Sequence, residues 1–461
     1  MFRPRRAEAK LLFFALLISV GCHLLVQFAD SDTLPADTGT LAMWMTGLYL
    51  SAHLTVRRLA PNASPLLLPI AGVLTGIGYA MVSRLDGTND RIEGVSVAQG
   101  MWIVLGIGAF IATLFFLRDY RILDRYRYIT GLAGITLLLL PIVPFLGRTV
   151  NGARLWTRIG PLQFQPGEGA KILLVVFFAS FLMERRELLA VNTGKIGPIH
   201  IPDFKHLGPI LAVWGLSLGI MLFEKDLGSS LLIFSIFLSM LYIATSRTAF
   251  VTGGLALFSV GALAAYQTFN HVQIRIKGWL DPLNPDTVEN ETYQLAQSLF
   301  AFASGGIDGS GPGQGSPWRI PFAETDFIFA SIGEELGLLG SIALILLYLV
   351  LVTTGFRTAL RCSDTFGKLL AAGLSVALAI QTFVIVGGVT RLIPLTGITL
   401  PFVSYGGSSI VSNFVILAIL VVVSDQQISG PRGHTSFFRR KALEIGEKIP
   451  DALPDPVGGS T

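Results

Sequence analysis

Glu324-Thr325-Asp326-Phe327 leads straight into a long apolar run, so the Asp326 carboxylate sits at the edge of an apolar stretch, where it is partly desolvated. A second group of chemically able residues lies earlier. Asn151-Gly-Ala-Arg-Leu-Trp156 is followed by Gln165-Pro-Gly-Glu-Gly-Ala-Lys171, which brings Arg154, Trp156, Glu168 and Lys171 to a helix entrance. Pro166 suits a first helical turn. Unpaired backbone N–H groups and a partial positive charge at such an entrance, with Arg154 and Lys171 beside it, make a pyrophosphate site. The plainer reading is that Glu168 caps the helix or pairs Lys171.

Glu224-Lys225-Asp226-Leu227-Gly228-Ser229 is a charged knot between two apolar stretches, and ionisable groups so placed are functional candidates unless they only pair with one another. Asp226 is the candidate substrate contact in it, against a plain Lys225 ion pair with either acid. Arg275-Ile-Lys277-Gly-Trp279-Leu-Asp281-Pro282 adds the cations Arg275 and Lys277, and Tyr293, Gln294, Gln297 and Trp279 suit sugar contacts. Ser404 lies in the Arg391–Ser409 stretch, where Pro394, Gly397 and Pro401 break otherwise apolar sequence; broken backbone at membrane depth normally lines a cavity. The glycine-rich segment 305–315 matches no dinucleotide or phosphate-loop spacing and reads as a flexible turn region. Ala330, Gly333, Gly337 and Gly340 form a small-residue stripe at helical spacing, read either as helix packing or as a groove for a lipid tail. Glu334 and Glu335 lie off that stripe and need a partner or a cavity. No HExxH, Cys/His cluster, P-loop or nucleophile elbow occurs, which leaves ATP-driven work and structural metal binding unsupported; no nucleotide or organic cofactor and no nucleic-acid partner are expected.

The elements that must position these residues are membrane helices. Hydrophobic residues make up 52% of the chain, only 14% are charged, and mean hydropathy is +0.63, beyond the range of soluble globular chains. Twelve apolar runs fall near 11–28, 40–56, 65–83, 98–117, 127–147, 170–184, 208–223, 227–245, 249–267, 333–355, 367–389 and 407–424. A β-barrel would show short alternating segments instead, so the expected class is all-α and polytopic. The first run follows basic residues but lacks a small-residue cleavage pattern, and reads as a retained helix. Cys22 and Cys362 carry no functional signal.

Lys and Arg concentrate in alternate loops, which predicts both termini on the cytoplasmic side and the segment 268–332 outside. Arg148 to Lys171 and Arg275 to Lys277 keep positive charge outside against that bias, which suggests an anion to bind.

In combination, NGARLW with QPGEGAK, EKDLGSS, YQLAQSLFAFASGG, TDFIFASIGEELG and PLTGITLPFVSYGGSS are similar to the SEDS family, the shape, elongation, division and sporulation glycosyltransferases that include RodA and FtsW. The resemblance spans Leu66 to Asp425 and implies a ten-helix core. The two additional N-terminal helices (1–64) and EKDLG in place of QPDLG look like the actinobacterial RodA-type branch; 426–461 is a cytoplasmic tail. Two departures are Pro321-Phe-Ala-Glu324-Thr-Asp326-Phe for PExxTDF and QPGE for QPSE.

The resemblance implies a peptidoglycan polymerase in the bacterial plasma membrane that joins lipid II units outside, with undecaprenyl pyrophosphate leaving, beside a class B penicillin-binding protein. By resemblance and position Asp326 is the general base or the ligand of a divalent cation, Mg2+ or Mn2+; Arg154, Lys171, Arg275 and Lys277 are the phosphate partners; Trp156 and Tyr293 orient sugar or lipid. Two other readings stay open. One is a lipid II flippase or transporter, because broken helices and buried charges also mark carriers, although paired inverted halves are not evident. The other is a noncatalytic scaffold for a transpeptidase.

Overall fold

The computed structural model describes residues 5–31, 38–88, 93–150, 153–159, 162–190, 192–196, 199–202, 208–289 and 292–429. Asn151 of the first motif and the tail from 430, with its basic residues Arg432, Arg439, Arg440 and Lys441, lie outside the described residues.

Each of the twelve apolar runs forms a helix: α1 Arg6–Ser31, α2 Thr38–Leu59, α3 Leu67–Leu85, α4 Val95–Phe116, α6 Arg127–Leu139, α7 Pro166–Ala190, α8 Gly208–Phe223, α9 Leu227–Thr245, α10 Thr248–Thr268, α13 Ile328–Arg361, α14 Thr365–Val389 and α15 Gly407–Ser429. Short helices fill the gaps: α5 Ile122–Arg125, α11 Asn270–Leu280 and α12 Tyr293–Gly305. Among the described residues, nine helices are long and apolar enough to cross a membrane, and Arg127–Ile142 and Gly208–Phe223 are shorter apolar helices. The chain is an all-α polytopic membrane protein.

The run expected to 147 stops early. Pro141 and Pro144 cannot continue the hydrogen-bond ladder, so α6 ends in a 3-10 turn over Leu140–Ile142. The chain then makes a small antiparallel sheet that helix-period reading missed: β1 Gly147–Val150, β2 Ala153–Ile159 and β3 Leu162–Phe164, with Arg148 opposite Trp156 and Thr157 opposite Phe164. A second hairpin, β4 Asn192–Ile196 and β5 Ile199–Pro202, lies between α7 and α8.

Helices that are apolar all round meet through small residues and close van der Waals packing. A Cβ on Gly106 would lie 2.6 Å from the Phe414 ring, and one on Gly131 would lie 2.8 Å from Phe177. Helices α3, α7, α14 and α15 are mostly buried, whereas α10 is almost wholly exposed. The N-terminal helix α1 lies along α3 closely enough that Gly76 has no room for a side chain beside Ser19.

Helix α13 is broken at Gly337, whose backbone (φ 65°, ψ −166°) is open to glycine alone. The glycine-rich segment docks into that break. Ser310 and Gly311 donate backbone bonds to the carbonyls of Glu334 and Glu335, while Leu338 and Leu339 donate to those of Gly306 and Ile307. The Glu335 carboxylate accepts from Gly313 N (2.9 Å), that of Glu334 from Ser316 N (3.0 Å), and Arg84 reaches Glu335 at 3.5 Å. The segment expected to be a flexible turn region is therefore tied down by a regular set of bonds. Gly333 and Gly337 meet Phe302 and the backbone of 307–309, which makes the small-residue stripe a packing surface and the two glutamates its ties.

Candidate active site

Consecutive membrane helices run in opposite directions, so the described residues of 140–166, 223–227, 268–328 and 389–407 emerge at one end of the bundle. Cross-links confirm their meeting: Arg154 N donates to Glu224 O (3.4 Å), Gln165 N to Ser408 Oγ (2.8 Å) and Tyr405 N to Glu324 O (2.8 Å).

Arg275, midway along α11, donates from Nη1 to the carbonyls of Leu395 (3.2 Å) and Thr396 (2.9 Å). A Cβ built on Gly397 would lie 3.5 Å from Asp326 Oδ2 and 3.9 Å from Arg275 Nη2, so carboxylate and guanidinium both flank this glycine. Its φ of +78° disfavours a side chain there. Arg275 also feels the charge of Asp226, and so is subject to two acids. Burial lowers its basicity and the two carboxylates restore part of it.

The Asp326 turn is held from one side by the 400–405 segment. Ser404 is 1% exposed; its hydroxyl donates to Thr325 O (2.6 Å) and accepts from Leu400 N (2.8 Å). Ser404, expected as a substrate contact, has its hydroxyl engaged by backbone on both sides and so braces the acid's turn. Burial pushes the Asp326 carboxyl up to about 7, with Glu324 adding to the rise and Arg275 opposing it. A carboxylate poised there can take a proton near neutral pH.

Asp226 caps α9, accepting from Ser229 N (2.9 Å); burial raises its pKa, against the pull of that bond and of Arg275. Glu224, 5% exposed, is pushed up to about 8 by burial and then by Asp226, and its Oε1 has no hydrogen-bond partner among the described residues. Lys225 adopts a left-handed φ of 64° and forms no ion pair with either acid among the described residues, so the plain pairing weighed for it does not occur. Arg154, Glu224 and Lys225 line a cavity of about 170 Å³ with Ile142, Thr149 and Phe223.

Lys171 follows the plainer reading. It is 3% exposed, and its Nζ donates to Glu168 Oε2 and Gln381 Oε1, both at 2.8 Å. Gln381 Nε2 in turn donates to Thr399 O (2.9 Å), so Lys171 and Glu168 brace the loop that carries Gly397. Gln381 escaped the sequence reading, although a lone amide inside an apolar run is itself a signal.

Other candidates stand apart. Lys277, two residues from Arg275, projects from the opposite side of α11 and is exposed. Tyr293 is exposed and Gln294 half-buried at the start of α12, with no hydrogen bond to Asp326 or Arg275. Trp156 is half-buried in β2. Trp279 directs its indole N–H to Arg391 O (3.1 Å), which removes the donor expected to meet a sugar.

The residues around Asp326 do not suit a resident divalent cation. The Arg275 guanidinium shares the surroundings of Gly397 with the carboxylate, and among the described residues no three His, Cys, Asp or Glu side chains converge to hold a metal ion. The arrangement suits proton transfer beside an anion-stabilising cation.

Residues 63–428 match the FtsW, RodA and SpoVE family of cell cycle proteins. The chain belongs to this family. It is 46% identical to the peptidoglycan glycosyltransferase RodA of Mycobacterium tuberculosis over 426 residues, 91% of this chain and 90% of that protein. It is 34% identical to the probable peptidoglycan glycosyltransferase FtsW of Geobacter metallireducens, over 79% of this chain and 95% of the relative. Among solved structures, a chain from a peptidoglycan synthase complex that coordinates polymerization and crosslinking aligns with TM-score 0.65 at 25% identity, covering 79% of this chain and 98% of that one. RodA of Thermus thermophilus shares the fold, with TM-score 0.56 at 24% identity over the same shares. Helices α1 and α2 precede the family match.

Proposed function

We propose that this peptidoglycan glycosyltransferase polymerises lipid II at the outer face of the plasma membrane, with Asp326 as the general base. The observation that carries the reading is the Asp326 carboxylate, pushed up to about 7 by burial and set across Gly397 from the Arg275 guanidinium. Asp326 takes the proton of the acceptor sugar hydroxyl as that oxygen attacks the anomeric carbon of the donor. The bond from that carbon to the pyrophosphate oxygen breaks, and undecaprenyl pyrophosphate leaves. Arg275 stabilises the charge that develops on the leaving group, and Arg154, in its cavity beside Lys225, offers a second cation to it. The distribution of Lys and Arg among the loops supports cytoplasmic termini and an outward-facing site.

Identity to the mycobacterial RodA proteins supports a role in elongation. The aligned synthase complex supports a class B penicillin-binding protein as partner. The test is polymerisation of lipid II by purified protein with that partner. Asp326→Ala and Asp326→Asn should each lose nearly all product, and wild-type product from either overturns the base assignment. If vesicles export lipid II yet form no strands, a flippase reading takes its place.

A further inference from the structure

We infer that Arg391 is a positioning residue, whose guanidinium caps the open C-terminus of α11 and so holds Arg275 beside Asp326. The inference rests on the proposed role of Asp326 as base.

Arg391 Nε donates to Trp279 O (2.9 Å) and its Nη2 to Leu280 O (2.6 Å), while Trp279 Nε1 donates back to Arg391 O (3.1 Å). Trp279 and Leu280 are the last two residues of α11, where helix carbonyls have no partner within the helix and carry partial negative charge. A rigid cationic fork satisfies two of them at once. The bonds span more than a hundred residues of sequence, so this is a helix cap supplied from elsewhere in the chain.

Arg391 holds this pose at φ 63°, a left-handed conformation that favours glycine. An arginine strained in that way, with every bond from its head group aimed at one helix end, is explained by what the head group holds. Beyond the Arg275 bonds to Leu395 and Thr396, helix α11 has little else to fix it: only Val272 and Gly278 are buried, and α10 before it is almost wholly exposed.

Arg275 and Trp279 are one helical turn apart on one face of α11. That face is gripped twice by one segment, through Arg391 at Trp279 and through the Leu395 and Thr396 carbonyls at Arg275. The next residue, Gly397, is the one flanked by Asp326 and Arg275. Releasing the Arg391 end lets α11 pivot and takes the guanidinium away from the acid.

The test uses the full-length protein with its transpeptidase partner, lipid II as substrate, and Arg391→Gly, Arg391→Lys and Asp326→Asn variants. Glycine is at ease at this φ, so Arg391→Gly removes the guanidinium without adding backbone strain. We expect kcat to fall roughly tenfold or more with KM nearly unchanged, as for a catalytic group moved by about an ångström. The acid limb of the kcat profile should move to higher pH, because Arg275 no longer holds down the Asp326 pKa. Amide exchange over 270–280 should quicken, and Arg391→Lys, with a single ammonium, should recover part of kcat. An acid limb and amide exchange both at wild-type values overturn the inference, and so does faster exchange with an unmoved limb while Asp326→Asn is inactive. If Asp326→Asn polymerises normally, the base reading fails on its own. Amide exchange then judges the cap alone: faster exchange in Arg391→Gly upholds it, and wild-type protection overturns it.

Discussion

Lys171 and Arg275 are both cations that the chain carries to the same end of the bundle, and they end in opposite circumstances. Lys171 is enclosed at the top of α7, with its ammonium bonded to Glu168 and Gln381. Arg275 rides on a lightly packed helix, bonds only backbone carbonyls with Nη1, and keeps its charge in play between Asp226 and Asp326. Two cations with the same promise in sequence thus divide into one that braces a loop and one that acts on the acids facing it. The difference lies in what each meets.

The largest effect that can break this contrast is at the acid. Asp326→Asn should lower lipid II polymerisation by about 10²–10⁴-fold, the span usual for a lost general base. It should also stabilise the protein at high pH. A folded-state pKa raised to about 7 means that ionised Asp326 opposes folding above that pH, while below the ordinary carboxylate range the acid is neutral in both states. The thermal midpoint of the variant should therefore exceed wild type at pH 8 and converge with it near pH 4; a constant gap would show that burial is not the cause.

Arg275→Gln should cost about 10²-fold in kcat, as for other groups that stabilise developing negative charge. It should also move the acid limb of the pH profile, expected where Asp326 ionises at about 7, to higher pH. A profile with unchanged shape would reduce Arg275 to a structural residue like Lys171.

Lys171→Met should act the other way, through stability. It leaves Glu168 and Gln381 without their buried partner, a loss of about 3 kcal/mol when one member of a buried pair is removed. The thermal midpoint in detergent should fall, while kcat per folded molecule stays within a few-fold of wild type. A hundredfold loss of kcat in protein of normal stability would place Lys171 in the chemistry after all.

Glu224→Gln should have the smallest effect. With its carboxyl pushed up to about 8, Glu224 is mostly neutral at pH 7, and the amide is close to it in shape. Turnover at pH 7 should stay near wild type, and any decline that the wild type shows above pH 8 from ionisation of this group should vanish in the variant.

The membrane class, the twelve helices and the odd charges at one end were legible in the sequence, because a bilayer demands long apolar runs and penalises every ionisable group near them. Asp326, Arg275, Lys171 and Asp226 stood out for that reason before any fold was known. The sheet over 147–164 did not, because its few alternating residues lie between strong helix signals. Nor did the docking of 305–315 into the break at Gly337, or the reach of Arg391 to the end of α11, since both depend on backbone groups far apart in the chain. Residue type and hydropathy alone determined which groups were costly to keep at that end of the bundle. Only the tertiary structure decided which of them are neutralised by a partner and which face one another, because a side chain's charge is set by its neighbours in space and not by its neighbours in sequence.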